Sequence, residues 1–238
     1  MATVQLSSEQ RILLHNVSWQ TYETLLREFD ERPIRLTYDR GDLEIMTLSH
    51  GHENYGKLTG RFVETLTEEL NIAIHSGGST TLKRELKKRG LEPDECYWIQ
   101  NEPAMRGKKD FDQDNDPPPD LGIEIDITHS SLDRMAIYAA LKVPEVWRFD
   151  GESFSVYRLG ADGKYHLSKQ SLAFPFLPLA EVLRFLRASD EQDETSLVRS
   201  FRRWVREHLL PSWEASKQSR PTARRTQRRR NSDGSKAE

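Results

Sequence analysis

Behind Ser18, a residue type that caps helices, apolar side chains fall three and four apart at Tyr22, Leu25, Leu26 and Phe29 and predict a helix over 19–30. The period then drops to two. Ile34, Leu36 and Tyr38 alternate with polar residues, and Leu43-Glu44-Ile45-Met46 follows the turn residues 39–42, so the pair reads as a β-hairpin. From residue 53 to 70 the apolar positions Tyr55, Leu58, Phe62, Leu66 and Leu70 predict a long amphipathic helix packed on a sheet. Short strands are expected at 72–75 and at 80–85 beyond Gly77-Gly78, and another is centred on Tyr97-Trp98-Ile99 after Pro93-Asp94. The polar, proline-ended stretch 102–119, which carries Arg106, Lys108 and Lys109, predicts a long surface loop. A strand over 120–128, a helix over 132–141 and strands over 145–149, 154–159 and 165–168 come next, then helices over 179–186 and 196–209. Helices set among hairpins and single strands indicate a mixed α/β sheet rather than a regular βαβ series, with Trp98 and Trp147 anchoring its core.

Composition bounds the class. No apolar run approaches the ~20 residues that cross a bilayer, and the mean hydropathy is -0.74. The first ten residues show no secretory pattern, and one cysteine, Cys96, cannot build a disulfide framework, so an intracellular, cytoplasmic location is expected. The 238 residues divide into an extension over 1–17, one domain over 18–188, a C-terminal helix over 189–210 and a basic tail over 211–238 expected to be disordered. The net charge of -3 hides an asymmetry. From Pro211 onward there are eight Lys/Arg against three Asp/Glu, a local charge of +5, which leaves -8 on the body. The tail reads either as a solvated extension or as a non-specific electrostatic hold on nucleic acid through Arg224, Arg225, Arg228, Arg229 and Arg230.

The segment 119–128 carries the candidate chemistry. Because strand side chains alternate, Leu121, Ile123, Ile125 and Ile127 share one face, and Asp120, Gly122, Glu124 and Asp126 share the other. Three carboxylates on one face repel unless something offsets them, and a hard divalent cation such as Mg²⁺ or Mn²⁺ is the usual offset. The plainer reading is a strand with one wet face. Against it stands local propensity, since Asp and Glu are poor strand formers. The strand also runs through Thr128-His129-Ser130-Ser131 into a helix whose N-terminus favours anions, with Arg134 in its first turn and Asp133 at capping distance from Ser130. His50 and His52 read as surface or capping residues, because the H-E-x-x-H spacing of zinc hydrolases is absent. No G-x-S-x-G elbow or phosphate-binding glycine motif occurs.

Several pieces in series resemble one family. Gly41-Asp42-Leu43-Glu44-Ile45-Met46, His50-Gly51-His52-Glu53, Pro93-Asp94, Pro118-Pro119-Asp120-Leu121-Gly122-Ile123-Glu124, Ile137-Tyr138-Ala139 and Val143-Pro144-Glu145-Val146-Trp147 are similar, in order and spacing over roughly 18–183, to the bacterial restriction-endonuclease domain called Uma-two. The resemblance implies the PD-(D/E)xK nuclease superfamily, with a mixed central sheet flanked by helices and a divalent-metal phosphodiesterase site acting on DNA. Carried over by position, it implies Glu53 as the acid of the first core helix, Asp94 or Asp120 as the motif aspartate, and Glu124 as the following acid. Asp94, Asp120, Glu124 and Glu53 are then the metal ligands, and Asp120, Glu124, Asp126, Arg134 and Glu53 the catalytic set.

Two positions depart from the pattern. Arg134 stands four residues before Tyr138, where the family usually has lysine, and Asp126 stands two after Glu124, where the superfamily often has one. Arginine stays protonated, so Arg134 suits charge stabilisation and not general-base work. The leading expectation is an Mg²⁺- or Mn²⁺-dependent DNA endonuclease in which Arg134, Lys108 or Lys109 offsets phosphorane charge. The alternative is a catalytically degenerate nuclease fold that binds nucleic acid. A homodimer is a further expectation, since two-fold dimers commonly cut both strands, although no self-complementary surface is legible in the chain.

Overall fold

The structure, a computed structural model, describes residues 9–30 and 32–218. In chain order its elements are β1 (Arg11–Leu14), α1 (Trp19–Glu28), β2 (Ile34–Asp39), β3 (Asp42–Thr47), α2 (His50–Leu70), β4 (His75–Ser76), β5 (Leu82–Arg84), β6 (Arg89–Leu91), β7 (Glu95–Trp98) and α3 (Glu102–Met105). After the long loop come β8 (Leu121–Ile125), α4 (Arg134–Leu141), β9 (Glu145–Phe149), β10 (Phe154–Leu159), β11 (Tyr165–Ser168), α5 (Leu179–Arg187), α6 (Glu194–Trp204) and α7 (Leu210–Gln218). The class is the expected mixed α/β, but the strands form two sheets rather than one. Their orders are β1-β3-β2-β6-β5 and β11-β10-β9-β8-β7-β4.

The acidic strand β8 lies inside the six-stranded sheet, antiparallel to β7 and parallel to β9. A parallel pair needs a crossover, and α4 supplies it. Leu121, Ile123 and Ile125 face α2, where they join Leu58, Phe62, Val63 and Leu66 in the largest apolar cluster. Each such side chain contributes roughly 1.5–3 kcal/mol when fully buried. The opposite face of β8 meets α4, whose Ile137, Tyr138 and Leu141 pack with Leu82 and Leu91 of the five-stranded sheet. The alternation along 121–125 thus decides which face of β8 is core and which faces the junction of the two sheets, whereas Ile127, expected on the core face, lies beyond the strand and is exposed.

Both ends of the chain depart from the sequence expectation. Within the supposed extension 1–17, β1 pairs with β3 from Arg11↔Met46 to Leu14↔Leu43. Its four residues, RILL, are too few to show a period. At the other end α6 passes through a π-helical turn into α7, so 211–218 is helix and not tail. Trp213 holds it in place, its ring 4.8 Å from Phe176 and its Nε1 donating to the Leu70 carbonyl at 2.8 Å. One large apolar residue gives no periodicity to read. The tail arginines 224–230 lie outside the described residues. Among the described residues no helix is long and apolar enough to cross a membrane.

Candidate active site

Glu124 is 5% exposed and lies on the α4 face of β8. Arg134, first residue of α4 after its Asp133 cap, donates from Nε to Glu124 Oε2 at 2.9 Å and from Nη2 to Oε1 at 2.6 Å. The Tyr138 hydroxyl donates to the same Oε1. Gly122 makes room for that ring, since a Cβ there would meet Tyr138 Cε1 at 3.1 Å. Arg134 also binds across the junction, donating from Nη2 to the Glu92 carbonyl at 2.8 Å and from Nη1 to Thr37 Oγ1 on β2. Burial works against its charge, but Glu124 more than offsets this and the guanidinium pKa rises. Burial and the Glu124 charge likewise push the Tyr138 phenol well up, so it stays protonated and donating.

Asp94 precedes β7 and reaches the same strand from the neighbouring position. Its amide donates to the Ile123 carbonyl at 3.0 Å, and its Oδ2 accepts from the Ile125 amide at 2.7 Å. Burial, and then the nearby Glu124 charge, hold the Asp94 carboxyl well above the usual range. His52 lies against it, Nδ1 3.6 Å from Asp94 Oδ1. This imidazole is 1% exposed and its Nδ1 has no hydrogen-bond partner. Burial lowers its pKa despite the opposing charges of Glu9 and Glu124, so it is neutral. The sequence reading missed His52 as an inner residue. Its place three residues after the Ser49 cap was the available signal, because that spacing puts it in the first turn of α2.

The remaining expected residues separate. Asp120 is spent on the backbone: its Oδ2 accepts from the Ile99 and Asn101 amides at 2.7 and 2.9 Å, and its Oδ1 from Asn101 Nδ2 at 2.7 Å. Glu53 is half-exposed on α2, 3.8 Å from Arg35. Asp126 accepts from the Ser130 amide at 3.2 Å and pairs with Arg148 of β9. It shares with Glu124, Arg134, Arg148, Ser130 and His129 a cavity of about 150 Å³ open to solvent. Lys108 pairs with Asp116 inside the long loop and does not line that cavity.

The loop after β8 is tied to the N-terminal strand. Arg11 donates to Glu9 Oε1, Glu44 Oε1 and Thr128 Oγ1, each at 2.9 Å. Glu44 in turn accepts from Ser130 Oγ at 2.8 Å and the Ser131 amide at 2.6 Å.

Mg²⁺ takes one or two protein carboxylates and fills its remaining positions with water and substrate oxygens. Asp94 and Glu124 are an all-oxygen pair, and burial, with the Glu124 charge behind it, raises the Asp94 carboxyl, an imbalance that a cation would relieve. Glu124 has about four lone-pair sites, of which Arg134 and Tyr138 take three, so one remains. The pair therefore fits such an ion. Among the described residues no group of three or more His, Cys, Asp or Glu is arranged to hold a metal by itself.

Residues 19–191 match the family model Uma2, "Putative restriction endonuclease". The chain belongs to this family. The Uma2 match spans both sheets from α1 to the turn after α5 and leaves out β1, with Arg11. A solved structure described as a putative nuclease belonging to DUF820, from Anabaena variabilis, is 13% identical and covers 63% of this chain and 90% of its own, with a TM-score of 0.43. No curated protein matches this Uma2 chain.

Proposed function

We propose that the chain is an endonuclease that hydrolyses phosphodiester bonds in DNA with Mg²⁺ or Mn²⁺, and that Glu124 and Asp94 hold the ion. One observation carries the reading: a buried carboxylate, with a second one bonded to the same strand, opens onto a solvent cavity beside a fixed guanidinium. The ion, when bound, polarises the scissile phosphate and makes a water more acidic. Arg134 supplies fixed positive charge at the cavity wall. Four of its five N–H groups are engaged, and one on Nη1 remains for a phosphoryl oxygen. Because this guanidinium is already held by Thr37, Glu92 and Glu124, it need not reorganise as negative charge develops. Tyr138 stays protonated and orients Glu124. Arg148, paired with Asp126 at the rim, adds positive charge where a phosphodiester would enter. Family membership supports the nuclease class.

The test is nicking of supercoiled plasmid in Mg²⁺ or Mn²⁺, beside an EDTA control and Glu124→Gln. Nicking that needs both the ion and Glu124 is the expected result. A wild type that binds the plasmid and leaves it intact under all conditions overturns the enzyme reading and favours a nucleic-acid-binding role for the fold.

A further inference from the structure

A second, larger concavity of about 690 Å³ runs along the outer face of α4, within the range of ligand clefts. It adjoins the Glu124 cavity, because Asp133 and Met135 line both. Its floor is Ala136, Ala139 and Ala140, spaced three and four apart on one helix face, so nothing bulky fills it. Lys87, Lys142 and Lys164 stand exposed on its walls, drawn from three separate turns. None of these lysines forms an ion pair with a described residue. Arg89 also lines the cleft, but Asp39 answers its charge at 2.8 Å. The one acid, Asp133, is spent on capping α4 through the Ala136 amide at 3.0 Å. Two aromatic rings, Tyr157 and Tyr165, border the same space.

Three uncommitted cations in one cleft are unexpected on a body whose net charge is negative. A polyanion complements them. Cations that track phosphates, beside rings on which bases stack, are the features that hold single strands. We infer that this cleft binds a single DNA strand leading to or from the Glu124 cavity, with phosphates on Lys87, Lys142 and Lys164 and a base against Tyr157 or Tyr165. The inference rests on the reading of the chain as a DNA nuclease and names where that substrate lies.

The experiment measures binding of a labelled single-stranded oligonucleotide to the full chain by fluorescence anisotropy across a salt series, in EDTA so that no cleavage intervenes. The groove variant combines Lys87→Gln, Lys142→Gln and Lys164→Gln. A control variant combines Lys57→Gln, Lys169→Gln and Arg203→Gln, all exposed elsewhere. Each phosphate contact contributes about 0.7 to the slope of log K against log salt for a single strand, so the groove variant should lose about 2 in slope. The control should lose less than half of that. Equal losses in the two variants overturn the inference, as does a groove variant that weakens duplex binding alone. If the wild type binds neither form of DNA, the nuclease reading fails with it, whereas binding that ignores the groove substitutions sinks the groove alone.

Discussion

Arg134 meets Glu124 as a fork, Nε to Oε2 and Nη2 to Oε1, while the same guanidinium spans from the six-stranded sheet to Thr37 in the other. A lysine would carry the charge but not the fork. Arg134→Lys should therefore leave an acceptor at Glu92 or Thr37 unmet and cost about 1–3 kcal/mol. Arg134→Ala, which strands a buried Glu124, should cost about 3–5 kcal/mol. Thermal unfolding of the two variants beside the wild type ranks them, and equal midpoints for all three would show that the fork contributes nothing.

Asp94 and Asp120 should separate by opposite phenotypes. Asp94→Asn keeps the shape of the carboxyl and removes a charge that burial disfavours, so stability should hold while metal-dependent nicking falls on the order of 10². Asp120→Asn weakens the three bonds that tether residues 99 and 101, and should cost about 1–3 kcal/mol while nicking per folded molecule persists. Paired nicking and melting curves decide, and the reverse outcome would make Asp120 the motif aspartate.

Glu95 gives the fold a pH dependence of known sign. Burial, then Glu64 and Asp94, push its pKa up to about 7. The folded state binds more protons than the unfolded state between about 4.5 and 7, so this group's contribution falls as pH rises through that window. Glu95→Gln should melt above the wild type at pH 8 and alongside it at pH 4. A gain of the same size at both pH values would refute the linkage.

Arg11 lies outside the family match yet holds the loop that lines the cavity. Arg11→Ala should remove its bonds to Thr128, Glu9 and Glu44 together, at about 1.5–3 kcal/mol for charge-assisted bonds. Hydrogen exchange gives a local readout: the Ser131 amide, which donates to Glu44, should lose protection more than β9 does. Uniform change across both would mean that Arg11 stabilises only globally.

The local period of the chain determined the elements around the site. Alternation over 121–125 identified β8 and its two faces, and the apolar spacing after residue 53 identified α2, because each face is buried along one continuous element. Short pieces were not legible. β1 has four residues and α7 only two large apolar ones, Leu210 and Trp213, too few for any period to emerge.

The same limit applies to the site. Glu124 and Arg134 lie ten residues apart and are joined by one turn of chain into a helix, so their partnership was open to local reasoning. The different surroundings of Asp94 and Asp120 were not. Both precede strand residues in Pro-Asp pairs, and only the antiparallel register of β7 on β8 brings the first to the Ile125 amide while the 99–101 turn claims the second. His52 and Arg11 likewise became inner residues through contacts 42 and 117 positions away, to Asp94 and Thr128. Periodicity records which face of an element is buried, but which charged groups meet there depends on how separate elements pack, and no local pattern encodes that.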